Sequence, residues 1–272
     1  MSAHRIADKF GNTWQYNPWS DRHSEVTCWA VMFDLLRHCP LLRKHVADGK
    51  IGFGINHIMT DFSSGRPKAL DLVISIPRND PTEKPIAFAS LIKEQQVVLA
   101  KNEKAELDAL PPLFRRPVGD VLVALEAKAA MTAHSKAGPR LFDELTSAWR
   151  CINGSAPQAI GVGVAMVNAS SEFISPKRNQ FPLTEKPPIW NVERQPQSAE
   201  KSHQRVRTVK VRENVNESGY DAKAILTVVA RNDFTPITLA PIPPGLPSSD
   251  GLNYERMILR VAGLYDSRFQ MR

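Results

Sequence analysis

The chain has 272 residues, about twice a common domain length, with 42% hydrophobic and 23% charged side chains, the balance of an ordinary globular protein rather than a disordered or fibrous one. Lysine and arginine outnumber the acids 35 to 28, a formal charge of +7; this favours an anionic partner, nucleic acid first, and also suits a merely basic protein. Cys28, Cys39 and Cys151 are too few and too scattered for a disulfide framework or a CxxC zinc site, and no run of about 18 apolar residues offers a membrane span, so a reducing, cytoplasmic setting with no membrane partner is expected.

The first twenty residues are polar with interspersed rings (Phe10, Trp14, Tyr16, Trp19) and a break at Pro18, which reads as an irregular arm. Asp21 or Ser24 can cap a helix from about Glu25 to His38, with Val26, Trp29, Phe33 and Leu36 on one face. Pro40 stops it or opens a short turn over Leu41 to Val46, and Gly49, Gly52 and Gly54 mark a turn-rich stretch. Ala69 to Pro77 reads as a strand, closed by Pro77, Asn79 and Asp80. From about Ala87 to Leu110 the pattern predicts a charged helix with a seam of Ala89, Ile92, Gln96 and Leu99, ended by Pro111 and Pro112. Val118 to Leu125 is a near-continuous apolar run of the kind central strands show. Pro139 suits the first turn of a helix reaching about Ile152, with Leu141, Leu145, Ala148 and Trp149 on one side. Ile160 to Val167 is another buried strand. Strands separated by helices predict an α/β sheet with helices packed on its faces.

Beyond Asn168 the texture changes, and ten of the 21 prolines fall from Pro176 to Pro247, which predicts a loop-rich extension. Within it His203 to Arg212 and Ala224 to Ala230 read as strands, and Asp250 can cap a last helix from about Leu252 to Tyr265. The expected organisation is a single domain, 1–272, with a catalytic core at about 20–170 and a family-specific region for DNA contact or dimerisation at about 171–272.

The informative constellation is Asp71 in the first strand with Glu126 and Lys128 at the end of the second. Side chains at i and i+2 of a strand share a face, so Glu126 and Lys128 project together. An isolated buried carboxylate costs several kcal/mol and needs a cation or a metal beside it. Two hard oxygen donors meeting at one place suit Mg²⁺, while Asp71 paired with Lys128 or Lys68 would be a structural ion pair. Asp120 is a rival first acid, but six residues along the same strand put it roughly 20 Å from Glu126.

An acid on one strand, followed by an apolar strand ending in Glu126-Ala127-Lys128 and then a helix, resembles the PD-(D/E)xK nuclease superfamily, which includes the restriction endonucleases. The resemblance covers roughly Glu25 to Asn168. Leu70 stands in place of the proline of the first motif, and the charged stretch Ala87 to Leu110 would be an insertion between the two strands. The resemblance implies a restriction-endonuclease-like core, a central mixed sheet flanked by helices. It implies a Mg²⁺-dependent endonuclease hydrolysing double-stranded DNA, of restriction type. Asp71, Glu126 and the Ala127 carbonyl would bind metal, and Lys128 would orient or activate the attacking water and stabilise charge on the phosphorane. It further implies a homodimer, because two strands need two sites. Glu25, at the start of the first helix, is a candidate further acid by the same resemblance, set against the plainer reading of a residue suited to the helix dipole.

Two basic stretches are candidates for DNA contact. Met131 to Arg140 gathers His134, Lys136 and Arg140 at a helix N-terminus, where amides favour phosphate, or forms a solvated loop. Lys201 to Arg212 carries five cations and no acid; Arg205, Arg207, Lys210 and Arg212 on a strand could follow a groove or guard a sheet edge. No GxGxxG, P-loop or GxSxG pattern is present. A non-cleaving DNA-binding protein, or a defence or repair nuclease with another nucleic-acid substrate, is the alternative.

Overall fold

The apolar runs at 69–77, 118–125, 160–167 and 224–230 become neighbours in one sheet. The computed structural model describes residues 5–62, 64–78 and 86–271; Asn79 and Asp80, expected to close a strand, lie outside them. A short hairpin, β1 (Ile6–Ala7) and β2 (Thr13–Trp14), precedes helices α1 (Arg22–His38) and α2 (Pro40–Ala47). Strands β3 (Gly52–Asp61) and β4 (Arg66–Pro77) follow, then the short helices α3 (Leu91–Gln95) and α4 (Lys101–Asp108), and β5 (Val118–Ala130). Next come α5 (His134–Ser155), β6 (Ile160–Asn168), a small pair β7 (Glu172–Ile174) and β8 (Trp190–Val192), and α6 (Gln197–Thr208). The last elements are β9 (Ala222–Val229), β10 (Thr238–Leu239) and α7 (Tyr254–Phe269).

The central sheet runs β10-β9-β6-β5-β4-β3. It is mixed: β3, β4 and β5 pair antiparallel, β5, β6 and β9 parallel, and β10 antiparallel to β9. The parallel strands need crossovers, and α5 and α6 lie on them. Alternation along β4 and β5 divides the core. Leu72, Ile74, Val123, Leu125 and Ala127 pack with α1, α2 and α7, whereas Val73 and Ala124 pack with α5 and α6. The fold is therefore a mixed α/β architecture with a central six-stranded sheet flanked by helices. No described helix is long and apolar enough to cross a membrane.

Several sequence expectations are corrected. Gly52 and Gly54 are not turn residues but the start of edge strand β3: a Cβ on Gly54 would stand 2.5 Å from Val118 Cγ2, and one on Gly52 would stand 2.9 Å from Arg116 Cβ. The glycines let the segment before β5 cross over β3. The helix expected over Ala87 to Leu110 is broken, because Gln96 takes a left-handed backbone (φ 47°) and ends α3. Helix α5 begins at His134, so Pro139 stands inside it, at the loss of one amide donor. His203 to Arg212 is not a strand; most of it is the end of α6, whose buried residues Ala199, Ser202, His203 and Val206 recur at helical spacing. Polar side chains on that inward face hid the stripe, and the alternating valines imitated a strand. Asn253, not Asp250, caps α7, its side chain accepting the amides of Glu255 and Arg256. The C-terminal region is loop-rich, yet it supplies β9 to the central sheet and α7 to the face of α1.

Burial has a titratable consequence in α6. His203 is 5% exposed, its Nε2 lies 3.1 Å from Thr227 Oγ1, and burial, with Arg207 nearby, pushes its pKa down to about 4. The unfolded chain thus binds the proton between pH 6.5 and about 4 while the folded chain does not. Stability should fall on acidification through that window by on the order of 2 kcal/mol. Urea unfolding of wild type and His203→Asn at pH 7 and pH 4.5 checks this: the variant should lose less stability between the two pH values than wild type.

Candidate active site

β4 and β5 pair from Pro77 and Val118 as far as Leu72 and Leu125, where the register ends. One step on, Asp71 Oδ2 accepts the Ala127 amide at 2.8 Å, so a carboxylate takes the hydrogen bond that a strand carbonyl would otherwise receive. β4 turns over here, since Leu70 packs with the α5 cluster and Leu72 with the α1 cluster. On β3, Asn56 lies between the partners of Leu72 and Leu70 and has φ 53°, a left-handed backbone that asparagine tolerates better than most residues. A charge in a strand interior is thereby delivered to the margin where two strands part.

Glu126 stands at that margin with a fully buried side chain. Lys128 Nζ lies 2.8 Å from Glu126 Oε1 and 3.7 Å from Asp71 Oδ2, bridging the two acids. A second ammonium, that of Lys68, lies 3.0 Å from the same Glu126 oxygen. Glu126 Oε2 is buried without a hydrogen-bond partner among the described residues. Burial, reinforced by Asp71, holds the Glu126 carboxyl above the usual range against the pull of Lys128 and Lys68. Burial alone would lower the Lys128 ammonium, but Glu126 and Asp71 outweigh it and hold it above its ordinary value. The arrangement is a compact, charge-balanced set of two acids and two amines, and the expected trio of Asp71, Glu126 and Lys128 does meet.

The carboxylates of Asp71 and Glu126 are hard oxygen donors, and the unsatisfied Glu126 Oε2 is a buried acceptor suited to a cation. The residues fit a Mg²⁺ ion that keeps several waters. Among the described residues no three or more His, Cys, Asp or Glu side chains converge as a metal group. Glu25 borders a small space of about 20 Å³ with Asp71, Cys28 and Gln95, but its Oε2 accepts Gln95 Nε2 at 2.9 Å and lies 3.9 Å from Arg22. It is a neighbour of Asp71 held by other partners. Asp120 lines a separate cavity of about 490 Å³ with His57, Phe62 and Ser155.

Beside Lys128 opens a cavity of about 410 Å³, walled by Tyr16, His23, Lys136, Arg140 and Lys177 among others. Lys136 and Arg140 thus line the space next to Lys128, Arg140 with its Nε 2.6 Å from Glu144 Oε1. At the start of α5 one amide is already taken. Glu193 accepts the Ala133 amide at 2.5 Å and the Thr132 hydroxyl at 3.1 Å. Comparisons of the chain with protein-family models, with curated proteins and with solved structures found no match.

Two proposed contact residues are corrected by burial. His134 is 1% exposed, with Nδ1 2.9 Å from Ser202 Oγ, so it joins α5 to α6. Arg212 is likewise buried, its Nη2 2.8 Å from Asp221 Oδ2 and 2.7 Å from the Ala159 carbonyl. Arg205, Arg207 and Lys210 are exposed, but they do not form a strand-like row. Arg205 lays its stem over Gly138 of α5, Arg207 holds Asp250 at 2.6 Å, and Lys210 follows the helix. Lys68, offered by the sequence as an ion-pair partner of Asp71, pairs with Glu126 instead, and Lys177 was not anticipated. Lys68 had a signal, three residues before Asp71, whereas Lys177 sits in a proline-rich loop with none.

Proposed function

We propose that the chain is a metal-dependent endonuclease of the PD-(D/E)xK type, acting on double-stranded DNA at specific sites. The observation that carries this reading is the single ammonium of Lys128 spanning Asp71 and Glu126 at a strand margin. A merely structural pair would need no second acid, no second amine and no open cavity alongside. Asp71 and Glu126, with the Ala127 carbonyl, would hold a divalent cation, which when bound supplies Lewis acidity toward phosphate and a more acidic water. Lys128 keeps its positive charge next to the reacting phosphate, orients the attacking water and offsets the charge that grows on the phosphoryl oxygens. Lys136, Arg140 and Lys177 line the adjacent cavity and would meet flanking phosphates. Cutting both strands needs two such sites, so the working unit is a homodimer.

A digest of long unmethylated duplex with Mg²⁺ tests the proposal directly. Discrete fragments, abolished by a chelator, are the expected result. Duplex left intact at every Mg²⁺ concentration would overturn it and favour a DNA-binding protein on the same scaffold.

A further inference from the structure

Lys68 has no part in the reaction just described, yet its ammonium sits 3.0 Å from Glu126 Oε1, the oxygen that Lys128 also contacts at 2.8 Å. Two like charges on one oxygen repel each other, and their presence there is explained by the charge count. Asp71 and Glu126 carry −2, Lys68 and Lys128 carry +2, and the buried cluster is neutral only with both amines in place. A divalent cation held by the same two acids would leave the cluster at +2, so an amine must withdraw for the charges to balance better. The two lysines are not equivalent in this respect. Lys128 touches both acids, whereas the ion pair of Lys68 is with Glu126; both amines are partly open to solvent, at 18% and 24% side-chain exposure for Lys68 and Lys128, so it is the smaller number of acid contacts that marks Lys68 as the one to yield.

We propose that Lys68 is a built-in counter-ion of the acid pair: its ammonium neutralises Glu126 until a divalent cation binds, competes with that cation for the Glu126 carboxylate, and so sets the site's cation affinity. Lys68 is thus a positioning residue rather than a catalytic one. The inference rests on the reading that Asp71 and Glu126 bind metal. It goes beyond that reading in assigning a regulatory role to an amine outside the Glu-x-Lys motif. The physical basis is competition between two cations for one buried anion, which is stronger in a dehydrated setting than at the surface.

The test is calorimetric titration of the full chain with Ca²⁺, a cation that reports binding without requiring turnover. Lys68→Met should bind Ca²⁺ about tenfold more tightly than wild type, a change of about 1.4 kcal/mol, while Lys68→Arg, which keeps the charge, should restore the wild-type affinity. Lys68→Gln serves as a second charge-removing variant that keeps a polar end, and urea unfolding confirms that each variant is folded. A purely structural lysine would not raise cation affinity on removal. If wild type binds Ca²⁺ and the folded Met and Gln variants bind it equally or more weakly, the counter-ion role is overturned and the metal reading stands. If neither wild type nor variants bind Ca²⁺, the metal reading fails and takes this inference with it. Tighter binding by the variants with no cleavage of any nucleic acid would support the counter-ion role while removing the nuclease assignment.

Discussion

Lys128→Ala is expected to lower Mg²⁺-dependent cleavage of duplex DNA by at least about 10²–10³-fold, the scale of losing one charged donor at a developing oxyanion. Folding should survive, because Lys68 remains 3.0 Å from Glu126 and the buried carboxylate is not left without a cation. DNA affinity measured in Ca²⁺ should change by less than about threefold, since one ammonium among several at the cavity contributes a minor share of phosphate attraction. Single-turnover cleavage, fluorescence anisotropy and urea unfolding on the same preparations separate the three quantities. Undiminished cutting by a folded Lys128→Ala protein would remove this residue from the chemistry and with it the proposed mechanism.

A second large effect is expected outside the acid pair, at Asp221. Its carboxylate receives the Arg212 guanidinium, the Gly161 amide at 2.7 Å and Arg268, and the side chain is 1% exposed. The cluster ties the start of β6 to the segment before β9 and to α7. Asp221→Ala would strand the buried Arg212 charge, at a cost of about 3–5 kcal/mol, a large part of the stability of an ordinary domain. Urea unfolding should show the loss directly. Arg212→Ala should behave similarly, losing stability rather than specific contact with DNA. A folded Arg212→Ala protein with wild-type stability and weakened DNA binding would return Arg212 to the surface role that its position in a basic run first suggested.

The elements that could be read from sequence are those where one physical signal dominates. β5 and β6 are buried on both faces, so they announce themselves as continuous apolar runs, and α1 and α5 carry stripes at helical spacing. The trio of Asp71, Glu126 and Lys128 was legible because charge in or at the end of an apolar strand is costly and therefore conspicuous. What escaped was set by tertiary partners. β3 looked like a glycine turn because Gly52 and Gly54 answer to Arg116 and Val118, more than sixty positions away. α6 hid because Ser202 and His203 are buried through hydrogen-bond partners on α5 and β9, namely His134 and Thr227. Arg212 looked like an exposed cation because its acid, Asp221, is invisible to a reading of local charge. Lys68 was matched to Asp71, its near neighbour in sequence, because its actual partner, Glu126, lies on the adjacent strand 58 positions on.

The arm before α1 has a mechanical meaning for the cavity beside Lys128. The Gln15 and Tyr16 amides donate to Asn232 Oδ1, Asn232 Nδ2 returns a bond to the Tyr16 carbonyl, and Asn12 is bonded to Phe181 and Leu183. Tyr16, one wall of the cavity, is therefore clasped from segments more than 160 residues away. Any guest that widens the opening must unfasten these bonds together, so amide exchange at Gln15 and Tyr16 should report entry through this doorway.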